Sequence, residues 1–137
     1  EIFMKKKNCT FINDSKATNI NSVIVAINTY NRPIILILGG FNKGANFRLL
    51  LPHIKSSHVR EIVSYGDAGG QINTALGDAV RSVQVTDLSS AVKKAQLMAA
   101  PGDIVLLSPG CASYDEFSNF EERGNHFKSM IKNIAIS

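Results

Sequence analysis

The chain has 137 residues, 45% of them hydrophobic and 19% charged, and a net charge of +4, values that fit one globular domain. No run of about 20 apolar residues could cross a membrane, and the basic residues lack the interleaved aromatics of a nucleic-acid interface, so we expect neither partner. The two cysteines, Cys9 and Cys111, match no metal or disulfide pattern, and no apolar leader follows lysines 5 to 7, which predicts a cytoplasmic location.

Apolar runs predict about five strands, and the run at residues 33–38 is typical of a strand buried on both faces of a parallel sheet. In chain order the predicted strands are residues 9–12, 33–38, 59–65, 82–86 and 104–107. Segments with helical spacing lie between them, at residues 19–28, 47–54, 67–76 and 88–99. We expect Thr18 or Asn19 to cap the first of these helices and Asp87 to cap the last.

A final helix is predicted after residue 118, where Ser118 and Glu121 form a capping-box pattern. Its apolar face would carry four side chains: Phe120, Phe127, Ile131 and Ile134. The alternation of strands and helices predicts one α/β domain over residues 1–137, with a doubly wound, mostly parallel sheet and helices on both faces. Ligands should then bind at the carboxyl ends of the strands.

Each of three polar segments follows a predicted strand: residues 13–19, 39–44 and 108–117. Because the carboxyl ends of parallel strands share one edge of a sheet, these segments should converge. The first combines the Asp14 carboxylate, the Lys16 ammonium and the Thr18 hydroxyl at a helix start. That pattern suits a helix cap and an anion site equally well.

Two familiar kinds of chemistry are disfavoured by spacing. The second segment is not a phosphate-binding loop, because no Lys-Ser/Thr pair follows Gly44, and residues 66–70 lack the spacing of a dinucleotide fingerprint. Nucleophilic catalysis by Ser108, Cys111 or Ser113 is disfavoured because none has an evident histidine partner. Small residues ahead of a helix can instead expose backbone amides and a hydroxyl to a carboxylate.

The segment Asn-Asp-Ser-Lys-Ala-Thr-Asn at residues 13–19 resembles the signature of the D-glutamate-adding Mur ligases. The match continues in order through 38–40, Lys43, 107–109, 112–113, Asp115, Phe117, 119–121 and 123–124. It covers essentially the whole chain, which is therefore similar to the carboxy-terminal domain of these ligases. Gly110 and Tyr114 stand where the family would carry alanine and a variable apolar residue, and we expect these departures to affect the donor set little.

The resemblance implies a Rossmann-like domain that belongs to a three-domain enzyme of peptidoglycan synthesis, with the amino-terminal UDP-binding and central ATPase domains absent. In such an enzyme ATP phosphorylates the carboxylate of UDP-N-acetylmuramoyl-L-alanine, and the amine of D-glutamate attacks the acyl phosphate to give an amide, ADP and phosphate. ATP and Mg²⁺ would be bound mainly by the central domain. The isolated domain would be inactive, and the protein a monomer.

The resemblance also implies which residues meet D-glutamate. Thr18 and Lys43 would lie near one carboxylate, and the Ser113 hydroxyl and the Phe120 backbone amide near the other. From the residues alone, Lys43 could equally be a solvated loop cation. Two separately bound carboxylates would reject amino acids that lack the second one, because buried donors would be left unpaired.

Asp14 and Lys16 resemble family positions that meet the nucleotide when the domains close, Asp14 toward ribose and Lys16 toward phosphate. No catalytic or metal-binding residue is assigned within this domain, and the base that deprotonates the amine is left open. Two alternatives remain: a free-standing Rossmann-like ligand-binding module without catalysis, and a related ligase for another amino acid, such as another Mur ligase or a folylpolyglutamate synthetase. The sequence at residues 14–19 argues against the second alternative.

Overall fold

The computed structural model describes residues 2–6 and 8–133, with side chains from residue 8 onward. The strands in that part of the chain are β1 Ile2–Lys6, β2 Cys9–Asn13, β3 Ile34–Gly39, β4 Val59–Tyr65, β5 Arg81–Gln84 and β6 Ile104–Gly110. The helices are α1 Ile20–Thr29, α2 Leu51–Ser56, α3 Gly69–Leu76, α4 Leu88–Met98 and α5 Phe120–Asn133, with a short 3₁₀ helix at Phe47–Leu50 ahead of α2. Lys7 and Ile134, which entered the sequence-based predictions, lie outside the described residues.

The described strands form one sheet in the order β1-β2-β6-β3-β4-β5. All neighbours pair in parallel except β1, which is antiparallel to β2. Side chains alternate along β3, so that Leu36 and Leu38 pack with α1, α2 and α3 on one face, while Ile35 and Ile37 pack with α4 and α5 on the other. The predicted doubly wound α/β fold is confirmed. None of the described helices is both long and apolar enough to span a membrane.

The sequence-based prediction missed β1 and shortened β6. An edge strand pairs on one side only, and lysines are common on such edges, so β1 lacks the long apolar run by which buried strands are recognised. β6 was expected to stop at Leu107 because its apolar run ends there. In the structure, β6 continues to Gly110, beyond its last pair with β2 at Leu107 and across a register shift against β3.

Helix starts largely follow the predicted caps. The Asn19 side chain caps α1 by accepting from the N–H of Ser22 at 2.9 Å, and the Asp87 side chain caps α4 by accepting from the N–H of Ser90 at 2.8 Å. Because Asn19 takes the cap of α1, the hydroxyl of Thr18 is not needed there. The predicted helix at 47–54 divides into the 3₁₀ helix and α2, and the predicted helix at 67–76 begins two residues later, at Gly69.

The predicted capping box at the start of α5 is wrong by one position. The Asn119 side chain, not that of Ser118, accepts from the helix, at 2.8 Å from the N–H of Glu122. The Glu122 carboxylate, not that of Glu121, reaches back to the N–H of Ser118, also at 2.8 Å. Asparagine caps at least as well as serine, and it is the residue directly before the helix. Glu121 is consequently free of the cap.

Candidate substrate-binding cleft

Three adjacent strands bring the three polar segments together. β2, β6 and β3 are neighbours in the sheet, and their carboxyl ends lead into the first, third and second segments. The N–H of Gly110 donates to the carbonyl of Ala17 at 2.8 Å, which joins the third segment to the first. Phe41 and Ala112 exchange backbone hydrogen bonds of 2.8 and 3.1 Å, which join the second to the third. The convergence predicted from the sequence is confirmed.

The converging segments and the start of α5 enclose a cleft of about 340 Å³. The residues that line it are Thr18, Lys43, Ala112, Ser113, Tyr114, Ser118, Asn119, Phe120 and Glu121. All four residues that the family resemblance connects with D-glutamate are in this set. Ser113 is buried and Phe120 half-buried, whereas Thr18 and Lys43 are exposed. These four residues bring two hydroxyls, one ammonium and the first residue of a helix into one cleft.

The ammonium of Lys43 in the cleft contacts an aromatic side chain. Lys43 is the cation among the described residues that line the cleft, and Glu121 is the carboxylate. The Nζ atom of Lys43 lies 4.9 Å from the centroid of the Tyr114 ring, within the range of a cation–π contact. The Tyr114 ring is in turn 6.4 Å from that of Phe41. Tyr114 was expected to matter little to the donor set, but it contacts the donor that carries the charge.

Asn42 organises the loop that carries Lys43. Its side-chain oxygen accepts from the N–H groups of Gly44 at 2.9 Å and Ala45 at 2.8 Å, and its side-chain nitrogen donates to Gln71. These amides are occupied within the loop, whereas a phosphate-binding loop presents such amides to its ligand. The geometry therefore agrees with the rejection of a phosphate loop at this position.

A buried arginine joins the segments beneath the cleft. Arg123 is 0% exposed. Its Nε–H donates to the hydroxyl of Ser15 at 3.0 Å, its Nη2 to the carbonyl of Ser15 at 2.8 Å, and its Nη1 to the carbonyl of Cys111 at 2.9 Å. A Cβ added at Gly40, where φ is +120°, would lie 2.5 Å from the Ala112 carbonyl oxygen and 3.1 Å from Nη1. The second segment therefore needs glycine to pass the other two.

No role was predicted for Arg123, although a signal was present. It stands three residues after Phe120 and four before Phe127, positions that share one face of a helix. An arginine on an otherwise apolar face is costly to bury unless its donors are satisfied. Such a position indicates a buried hydrogen-bonded arginine, but not its partners, because Ser15 lies 108 positions away in sequence.

Asp14 and Lys16 lie beside the cleft and do not line it. Both line a cavity of about 410 Å³ that also includes Phe120 and Glu121, two residues shared with the cleft. The Asp14 carboxylate accepts from the Ser108 hydroxyl at 3.0 Å. Burial raises the pKa of Asp14, and the hydrogen bond from Ser108 opposes that effect. Thr18, Lys43 and Ser113 thus line the cleft, Asp14 and Lys16 line the adjoining cavity, and Phe120 lines both.

Cys111 is not activated as a nucleophile, and two of the three histidines bond elsewhere. Burial raises the pKa of Cys111 to about 12, so that its thiol stays protonated at neutral pH. His126 lies 2.8 Å from the hydroxyl of Ser89 through Nε2, and His53 lies 3.3 Å from the Asn28 amide through Nδ1. These histidines therefore contact side chains outside the cleft. The disfavoured reading of Cys111 as a nucleophile stays disfavoured.

The chain matches a known protein family over most of its length. The model of a family described as "Mur ligase, glutamate ligase domain" matches residues 1–111. The chain is 44% identical over 131 residues to a UDP-N-acetylmuramoylalanine-D-glutamate ligase of Chlamydia caviae, covering 96% of this chain and 31% of that protein. It is 44% identical over 129 residues to the ligase of the same name from Clostridioides difficile, covering 93% of this chain and 28% of that one. The chain thus spans about a third of the length of these relatives.

A solved structure supports the architecture. A crystallised domain from Haemophilus ducreyi, named for a UDP-N-acetylmuramate:L-alanyl-γ-D-glutamyl-meso-diaminopimelate ligase, superposes with a TM-score of 0.58. The comparison covers 94% of this chain and 96% of that domain at 14% sequence identity. At that identity the likeness concerns the fold alone.

Proposed function

The chain belongs to the Mur ligase, glutamate ligase domain family, and on that premise we propose that it is the D-glutamate-binding domain of a ligase acting on UDP-N-acetylmuramoyl-L-alanine. The resemblance drawn from the three signatures is confirmed by the family match and by relatives that bear this ligase name. Because the chain spans 31% of the Chlamydia caviae relative, we propose that a UDP-sugar-binding domain and an ATP-binding domain complete the enzyme.

The observation that carries the proposal is the cleft lined by Thr18, Lys43, Ser113 and Phe120. D-glutamate has two carboxylates and an amine. We assign one carboxylate to the Lys43 ammonium and the Thr18 hydroxyl, since charge-assisted hydrogen bonds are about twice as strong as neutral ones. The other carboxylate is assigned to the Ser113 hydroxyl and the N–H of Phe120, because the first N–H groups of a helix have no partner within it.

In this proposal the domain holds the amine donor while the acceptor is activated elsewhere. ATP, as co-substrate, converts the acceptor carboxylate into an acyl phosphate. The amine of D-glutamate then forms the amide bond, phosphate leaves, and the amine loses its proton. The role of the cleft is to hold the amine in position for attack, which replaces a bimolecular encounter by an oriented one.

The donor chemistry of Asp14 and Lys16 fits the edge of a nucleotide site. A carboxylate suits ribose hydroxyls, and an exposed ammonium suits phosphate. The described residues contain no group of three His, Cys, Asp or Glu side chains that could hold a metal ion. On the family resemblance we propose that Mg²⁺ and most of the ATP are bound by the central domain, and that Asp14 and Lys16 meet the nucleotide when the domains close.

The proposal is tested with the full-length protein that contains this chain. ADP release should require both D-glutamate and UDP-N-acetylmuramoyl-L-alanine, and the isolated chain should not hydrolyse ATP. Titration calorimetry distinguishes the ligase from the alternative, a ligand-binding module without catalysis. Tight binding of a mononucleotide by the full-length protein, with no response to D-glutamate, would reject the ligase.

A further inference from the structure

We infer that Arg123 and Ser15 are positioning residues that set the length of dicarboxylate that the cleft accepts. The inference rests on the proposed function and extends it to the choice between D-glutamate and its shorter and longer homologues. Neither residue lines the cleft, so both act through the backbone that they hold.

One guanidinium holds both sides of the cleft. Two of its hydrogen bonds, of 2.8 and 3.0 Å, end on Ser15, three residues before Thr18. The third, of 2.9 Å, ends on the carbonyl of Cys111, two residues before Ser113. The segments that supply the two carboxylate-binding ends are thus joined through a single planar group.

Ser15 extends the same network to Phe120, the third of the four cleft contacts that it reaches. Its hydroxyl accepts from the Nε–H of Arg123 and donates to the carbonyl of Phe120 at 2.7 Å. Phe120 is the first residue of α5, so this bond fixes the start of the helix relative to the first segment. Arg123 is 0% exposed and its three hydrogen bonds are buried, so water cannot readily replace them.

This network sets the distance between the two ends of the cleft that would bind the two carboxylates. The guanidinium is planar and presents its donors in a fixed fork, so it keeps the three acceptors at set separations. All three acceptors are neutral oxygens, and the hydrogen bonds compensate the buried charge as a set. Loss of the Ser15 hydroxyl leaves two of the guanidinium bonds but removes the bond that ties the Phe120 carbonyl to the first segment. The amide at the start of α5 can then shift relative to Thr18, and the distance between the two carboxylate-binding groups is no longer fixed.

The experiment compares three substrates on the full-length protein: D-glutamate, D-aspartate with one methylene fewer, and D-2-aminoadipate with one more. For Ser15→Ala we expect the preference in kcat/KM for D-glutamate over the better homologue to fall by about tenfold, which is the lower end of the roughly 10–200-fold discrimination that one methylene gives in a hydrophobic pocket. Arg123→Lys keeps the charge without the fork and should lower the preference as well. Ser129→Ala, at an exposed position of α5, is the matched control and should leave the preference unchanged.

The preference separates positioning from stability. All substrates are assayed on one enzyme sample, so a loss of folded protein cancels from the ratio. A preference within twofold of the unaltered enzyme in Ser15→Ala and Arg123→Lys would overturn the inference. If Arg123→Lys does not fold, Ser15→Ala decides alone. An unaltered enzyme that does not use D-glutamate would reject the proposed function itself, which is a distinguishable result.

Discussion

Replacement of Lys43 by alanine tests the charge of the cleft. A hydrogen bond to a charged group contributes about 1.5–3 kcal/mol, and each 1.4 kcal/mol corresponds to about tenfold in affinity. Lys43 is exposed, so solvent screens part of its interaction and the lower end of that range applies. We therefore expect Lys43→Ala to raise the KM for D-glutamate by about tenfold to thirtyfold, with a smaller change in kcat, because uniform binding is lost.

The assay is ADP release by the full-length protein at saturating ATP and UDP-N-acetylmuramoyl-L-alanine, with D-glutamate varied. Lys94→Ala, at an exposed position of α4, removes the same charge away from the cleft and should leave KM unchanged. The KM for ATP should also stay constant in Lys43→Ala. A KM for D-glutamate within threefold of the unaltered value would refute the assignment of Lys43 to a carboxylate.

Three further predictions concern single side chains. Tyr114→Leu should raise the KM for D-glutamate about twofold to fivefold, because leucine cannot make the cation–π contact with Lys43. Tyr114→Phe keeps an aromatic ring and should leave this KM unchanged. Equal KM values for the two variants would contradict the prediction. Asp87→Ala should cost about 1 kcal/mol in urea unfolding at pH 7. Since the pKa of Asp87 is lowered in the folded state, chiefly by its hydrogen bonds with Ser90, that difference should vanish as acid protonates the carboxylate. Cys111 should resist a thiol reagent at pH 8 until denaturant is added; labelling of native protein would oppose this.

The interior of the fold could be read from the sequence because its strands are buried on both faces. β3 is apolar at five successive positions, and such runs identify central parallel strands regardless of context. The edge strand β1 and the last residues of β6 could not be read in this way. Their pairing depends on neighbours distant in sequence, and Pro109 suggests a strand end unless the register shift beside it is known.

The candidate cleft shows the same difference between residues that local sequence predicts and residues that it does not. Thr18, Lys43 and Ser113 belong to short segments whose motifs are visible locally, so the family resemblance could name them. The partners of Arg123 could not be named, because they lie 12 and 108 positions away and meet it only after folding. Tyr114 looked unimportant for a similar reason, since its contact with Lys43 crosses between two loops.

The position of β6 has a consequence for synthesis of the chain. β6 lies between β2 and β3, yet among the strands that the structure describes it comes last in sequence. Until residues 104–110 leave the ribosome, the remaining strands can form only two separate sheets, β1-β2 and β3-β4-β5, each with an open inner edge. Open edges of this kind pair with other chains. A nascent chain halted before β6 should therefore be prone to aggregation.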